Sequence, residues 1–191
     1  MKKVFFSFHY DLDSWRVQQI RNMGVVEGQR VCNTNDWEQI KKSGDKSIQN
    51  WIDKQMKGCD CVIVLIGEKT HTRQWVKYEV KRAKELGIPI FGIFIHNLKD
   101  RKHQTTKKGQ NVFDIHCYEP NSKGAYQDIR NNLESWINKN ITESKGKKIK
   151  LQKYTTKPKS LFPFFNFFGI LVIILIFLGI FKNIKLLRME R

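Results

Sequence analysis

Trp75 and Glu79 stand four residues apart in the stretch QWVKYE, a spacing that puts both on one face of a helix. A carboxylate beside an aromatic ring at a cleft edge can steady a cation as it develops. The bond that asks least of such a site is a glycosidic bond whose leaving group is already positive. That group departs without being protonated, so one carboxylate to orient sugar hydroxyls and offset oxocarbenium charge suffices. The same glutamate also fits a solvated helix face beside Lys81 and Arg82, and residue types alone leave both readings open. Other constellations are weaker. His9, His71, His96, His103 and His116 lack ligand-like local spacing, and no GxGxxG, phosphate-loop lysine motif or GxSxG occurs. Neither a metal nor a cofactor is expected. Cys59 and Cys61 are too close for a zinc or redox pair, and Cys32 and Cys117 stand alone, so all four read as structural thiols in a reducing compartment.

The elements that must position Trp75 and Glu79 follow from hydrophobic patterning. Val4–Phe8 reads as a short strand, and Trp15, Val17, Ile20 and Met23 follow at rough helical spacing. A second short strand is expected at Arg30–Cys32, then a polar loop from Asn33 to Gly44. Ile48, Trp51, Ile52, Gln55 and Met56 mark a helix closed by Gly58. Cys61–Ile66, CVIVLI, is an uninterrupted apolar run, as a parallel strand covered on both faces requires. A charged helix is expected over Thr72–Leu86, a strand over Ile88–Ile95, a polar loop over 96–112 whose 99–108 stretch is basic and solvated, and a last strand near Ile115–Tyr118. A helix over Ala125–Lys139 then presents Ile129, Leu133, Trp136 and Ile137 on one face. Alternating strands and helices predict an α/β fold, a parallel sheet with helices on both faces. Ligands of such sheets sit outside the C-terminal strand ends, where the strand order reverses. That rule selects His9–Asp11, the 33–38 loop, Gly67–Thr70 and His96–Asn97.

The 191 residues carry a formal charge of +17, which would suggest nucleic acid if it were spread along the folded part. From Ile141 onward, however, eleven Lys/Arg stand against Glu143 and Glu190, about half of the excess. They flank Leu161–Phe181, 21 residues without a charge, which as a helix would span roughly 31 Å, the thickness of a hydrocarbon core. The expected organisation is a domain over 1–140, a basic juxtamembrane linker over 141–160 that is flexible from Lys145 to Ser160, one C-terminal transmembrane helix over 161–181 and a short basic tail over 182–191. Seven basic residues precede the run and four follow it. The positive-inside bias then predicts a single-pass membrane protein with its N-terminal domain cytoplasmic. No signal peptide is expected, because the first apolar stretch ends at His9. The membrane is an expected partner and nucleic acid is not.

Four segments in this order, VFFSFHYD (4–11), NDWEQIKKSGD (35–45), CVIVLIG (61–67) and THTRQWVKYE (70–79), resemble the TIR-like domain of bacterial Thoeris antiphage defence, the ThsB family. The resemblance covers about residues 3–138. It implies a flavodoxin-like, TIR-like fold that takes NAD+ as substrate, cleaves the nicotinamide–ribose bond and can cyclise the ADP-ribose. Residue by residue, Glu79 matches the family's catalytic glutamate and Phe5 an aromatic of the pocket, while His9, Tyr10, Asp36 and Trp37 lie on loops that border it. Trp75 would pack beneath the glutamate. Self-association through the TIR-like domain and a separate effector protein are further implied partners. A different reading, a non-catalytic receptor or effector that binds a nucleotide or partner and clusters its anchor, stays open at this point.

Overall fold

The computed structural model describes residues 1–28, 39–40 and 42–155. Met1–Ile149 forms one compact unit, and of the second, Lys150–Arg191, only Lys150–Thr155 is described. Strand β1 (Lys2–Ser7) leads into helix α1 (Tyr10–Arg21) and the short β2 (Val26–Gly28). Helix α2 (Asp45–Met56), β3 (Cys61–Ile66), a 3-10 turn (Thr70–Thr72) and α3 (Gln74–Glu85) follow. The chain continues through β4 (Ile90–Phe94), β5 (Cys117–Tyr118) and α4 (Ala125–Thr155). The five strands lie in the order β2-β1-β3-β4-β5, and every pairing is parallel. This is the flavodoxin-like order, and its reversal falls between β1 and β3.

Strand geometry sorts the core into two layers, because successive side chains point to opposite faces. Val4, Phe6, Cys61, Ile63, Leu65, Phe91 and Ile93 meet Val17 and Ile20 of α1 and Ile129, Leu133 and Ile137 of α4. On the other face Phe5 and Val62 meet Ile48, Ile52 and Met56 of α2, and Val64 and Ile66 meet Val76 and Val80 of α3. All six residues of β3 are fully buried, so its apolar run is the consequence of two covered faces. Each buried Val, Leu or Ile there contributes about 1.5–3 kcal/mol relative to exposure. Helix α3 stops where Gly87, at φ +63°, takes the left-handed conformation that ends helices at low cost.

Three sequence expectations change. The second strand is Val26–Gly28; Arg30–Cys32 lies outside the described residues. Trp15 does not face the core but is 42% exposed, its ring covered by the Arg101 guanidinium at 4.7 Å. The inward stripe of α1 is instead Asp13, Arg16, Val17 and Ile20. In place of a flexible linker, α4 runs unbroken past residue 140 to Thr155, and 156–160 lie outside the described residues.

The expected membrane localisation is also corrected. Among the described residues no helix is long and apolar enough to cross a membrane. The 161–181 run and the 182–191 tail that carried the expectation lie outside the described residues. The single-pass placement and its orientation therefore do not stand.

Candidate active site

The end of β1 and the first half of α3 meet at the reversal of strand order. Ser7 is the last residue of β1, pairs with Val64 of β3 and is fully buried. It lies on the same strand face as Phe5, the face that α3 covers. Its hydroxyl donates to Glu79 Oε2 at 2.5 Å. Glu79 itself keeps a small part of its surface open, but its carboxyl is desolvated. Burial pushes its pKa up from 4.5 to about 8, against the Ser7 hydrogen bond, which favours the ionised form. Near neutral pH this carboxyl therefore exchanges its proton readily, as an ordinary surface glutamate does not.

Helices α1 and α3 start side by side at this end of the sheet. Arg73, the residue before α3, pairs with Asp11 in the first turn of α1 at 3.2 Å. His9 precedes α1 and is 6% exposed. Its backbone carbonyl accepts from Asp13 N–H at 2.9 Å. Burial, then the Arg73 cation, holds its imidazole below the usual histidine range, so at neutral pH it is uncharged. Its Nδ1 is enclosed without a hydrogen-bond partner among the described residues. Tyr10 opens α1, with its ring 6.2 Å from that of Phe8.

Gly67, the first residue after β3, lies against Asp13 of α1. Its N–H donates to the buried Thr70 hydroxyl at 2.9 Å. A Cβ at Gly67 would stand 2.2 Å from Asp13 Oδ2, and one at Gly109 would stand 2.0 Å from the Gly67 carbonyl oxygen. Buried Arg16 ties the segment after β4 to α1. It donates to the carbonyls of Leu98 at 2.8 Å and Gln104 at 3.2 Å, and to Asp13 Oδ1 at 3.4 Å. The basic segment after β4 is thus pinned in part rather than simply solvated.

The structure brings Ser7, His9, Tyr10 and Glu79 to one end of the sheet and sets Phe5 and Trp75 against the core. Phe5 is 1% exposed and packs among Ile48, Ile52, Met56 and Val62. Trp75 packs against that same cluster, edge-on to Tyr78 at 5.9 Å. Asp36 and Trp37 lie outside the described residues. Ser7 was not among the residues selected from sequence. Only strand alternation, which puts it on the side of Phe5 and His9, hinted at it. No group of three or more His, Cys, Asp or Glu suited to a metal occurs among the described residues. Cys59, Cys61 and Cys117 are free thiols, and burial pushes Cys61 up to about 12, so it is not a nucleophile.

One desolvated carboxyl with a single buried hydroxyl donor can act as a proton acceptor or as an anion facing a cation. A cationic ligand would favour its ionised form. Comparison with known proteins adds to this geometry. The family described as Thoeris protein ThsB, TIR-like domain, matches residues 5–100. A Bacillus cereus (strain MSX-D12) protein provisionally named cyclic ADP-D-ribose synthase ThsB1 is 37% identical over 128 residues, which cover 64% of this chain and 67% of the relative.

Proposed function

The chain belongs to the TIR-like domain family of the Thoeris protein ThsB, and from that premise we propose that it cleaves the nicotinamide–ribose bond of NAD+ in antiphage defence. The observation that carries the reading is the Glu79 carboxyl, desolvated and held by Ser7 at the reversal of strand order. The nicotinamide ring of NAD+ is positively charged, so its approach lowers the proton affinity of Glu79 and the proton passes to solvent water. The C1′–N bond then breaks with both electrons going to the ring nitrogen. Neutral nicotinamide leaves without needing an acid. The ribosyl oxocarbenium ion is steadied by the Glu79 carboxylate in a site of low dielectric, where one charge counts for more than in water.

Two nucleophiles can capture that cation. Water adds at C1′ and loses a proton, giving linear ADP-ribose. A nitrogen of the same molecule's adenine adds instead, giving a cyclic product, and the name of the Bacillus cereus relative supports that branch. Self-association of the domain and delivery of the product to a separate effector complete the proposal. The test is to incubate the full chain with NAD+ and follow nicotinamide together with linear and cyclic ADP-ribose. Nicotinamide release that Glu79→Gln abolishes supports the reading; release at an unchanged rate in that variant refutes it.

A further inference from the structure

We propose that Ser7 is a positioning residue for Glu79: from the last position of β1, its hydroxyl fixes which way the carboxylate turns and favours its ionised form in a desolvated seat. The inference rests on the glycosidic reading of the site and gives a strand residue a part in the chemistry of the helix.

The geometry leaves the hydroxyl little else to do. Ser7 is fully buried, and a buried hydroxyl without a partner is costly. Its donor goes to Glu79 Oε2 at 2.5 Å. Among the described residues, Glu79 has no other hydrogen-bond donor. One carboxylate oxygen is therefore held by the protein, and Oε1 is left to meet a ligand. Because Ser7 sits in the sheet, paired with Val64, the anchor is as rigid as the core. A carboxylate on a helix surface has several rotamers to choose among, and one fixed donor selects between them.

Among the described residues, Ser7 is the one group that counters the burial. Helix α3 packs against β1, β3, β4, α2 and the 3-10 turn. Asp53, where α2 meets α3, is occupied by Arg82, at 2.8 and 3.1 Å. Strand β3 carries only Cys61, at its far end, and β4 carries no titratable residue. Lys2 and Lys3 are at the far end of β1, His9 follows it, and His71 lies on the turn. Burial raises Glu79's proton affinity and the Ser7 bond lowers it, with no charged neighbour among the described residues contributing. A hydroxyl that donates to the charged form favours that form.

The experiment uses the full chain with 13C-labelled glutamate. The Glu79 side-chain carbonyl is assigned by its loss in Glu79→Gln and titrated by NMR in wild type, Ser7→Ala and Ser7→Thr. The expected result is a midpoint that rises by about one pH unit or more in Ser7→Ala and returns in Ser7→Thr, which keeps the hydroxyl. The acid limb of kcat/KM for NAD+ should move with it, costing about tenfold at a pH well below the midpoint. A midpoint that stays in place in Ser7→Ala overturns the assignment. Should Ser7→Ala not fold, Ser7→Cys, close in size but a weak donor, decides on the same criterion. A wild-type chain that releases no nicotinamide overturns the glycosidic reading instead, while the NMR midpoints still decide the role of Ser7.

Discussion

Asp13 Oδ2 lies so close to the backbone of Gly67 that a Cβ on that glycine would stand 2.2 Å from it. A buried carboxyl from α1 thus rests on the chain as it leaves β3, beside the candidate site. Space, and not backbone freedom, demands glycine at this position. Asp13 cannot give way easily, because Arg16 holds its other oxygen. Gly67→Ala should cost about 1–3 kcal/mol, as overpacking of a filled site does. Urea denaturation of the two chains checks this; equal midpoints would show that Asp13 moves freely.

Asp13 should also make stability depend on pH. It is 2% exposed, and burial, partly offset by Arg16, raises its pKa from 3.8 to about 6. Between those values the folded chain keeps a proton that the unfolded chain has lost. Stability from this group is therefore full below 3.8, falls as pH rises to 6, and is level above. The fall is roughly 3 kcal/mol at about 1.36 kcal/mol per unit. Asp13→Asn, which retains an oxygen for Arg16, should lose less stability than wild type between pH 4 and 6. Denaturation midpoints at pH 4, 5, 6 and 7 provide the measurement, and parallel curves would contradict it.

Glu79 follows the same sign over a wider window. Its pKa is raised on folding, from 4.5 to about 8, so the stability it costs the charged state grows between those two values. Gln accepts from Ser7 but cannot ionise. Glu79→Gln should match wild type near pH 4.5 and exceed it at pH 8 by roughly 4 kcal/mol at about 1.36 kcal/mol per unit. Thermal melts at the two pH values test this. A variant less stable at both would mean that the carboxylate supports the fold.

The activity profile should separate free chain from complex. Cleavage needs Glu79 ionised, so the acid limb of kcat/KM should fall near the free-chain value of about 8. The limb of kcat belongs to the complex, where the cationic nicotinamide ring favours the carboxylate, and should lie at lower pH. Initial rates across pH 5–9 give both limbs. Coincident limbs would contradict a direct meeting of the ring with Glu79.

The parts of this fold legible in sequence are those decided by neighbours along the chain. Cys61–Ile66 reads as a doubly covered strand because all six residues are apolar, and it is one. Helix α3 was visible in the spacing of Val76, Val80 and Ala83, all buried. The parts missed depend on residues far away in sequence. Trp15 looks like core, yet its cover is Arg101. Arg16 looks like surface, yet it is 3% exposed because the carbonyls that satisfy it, those of Leu98 and Gln104, arrive more than eighty residues later. Ser7 is a small polar residue in an apolar strand, and its role became visible only with its partner 72 residues on. Glu79 could be chosen from its motif, but its proton affinity is set by burial, which residue spacing does not encode. The three-residue β2 was too short for any periodicity to mark.

The most direct measurement is nicotinamide release from NAD+ by the full chain, with Glu79→Gln beside it at pH 8. Steady release by the wild type, lost at least a hundredfold in a variant that melts no earlier, is the predicted result. Equal release by both chains would mean that the cation at C1′ is steadied by some group other than Glu79.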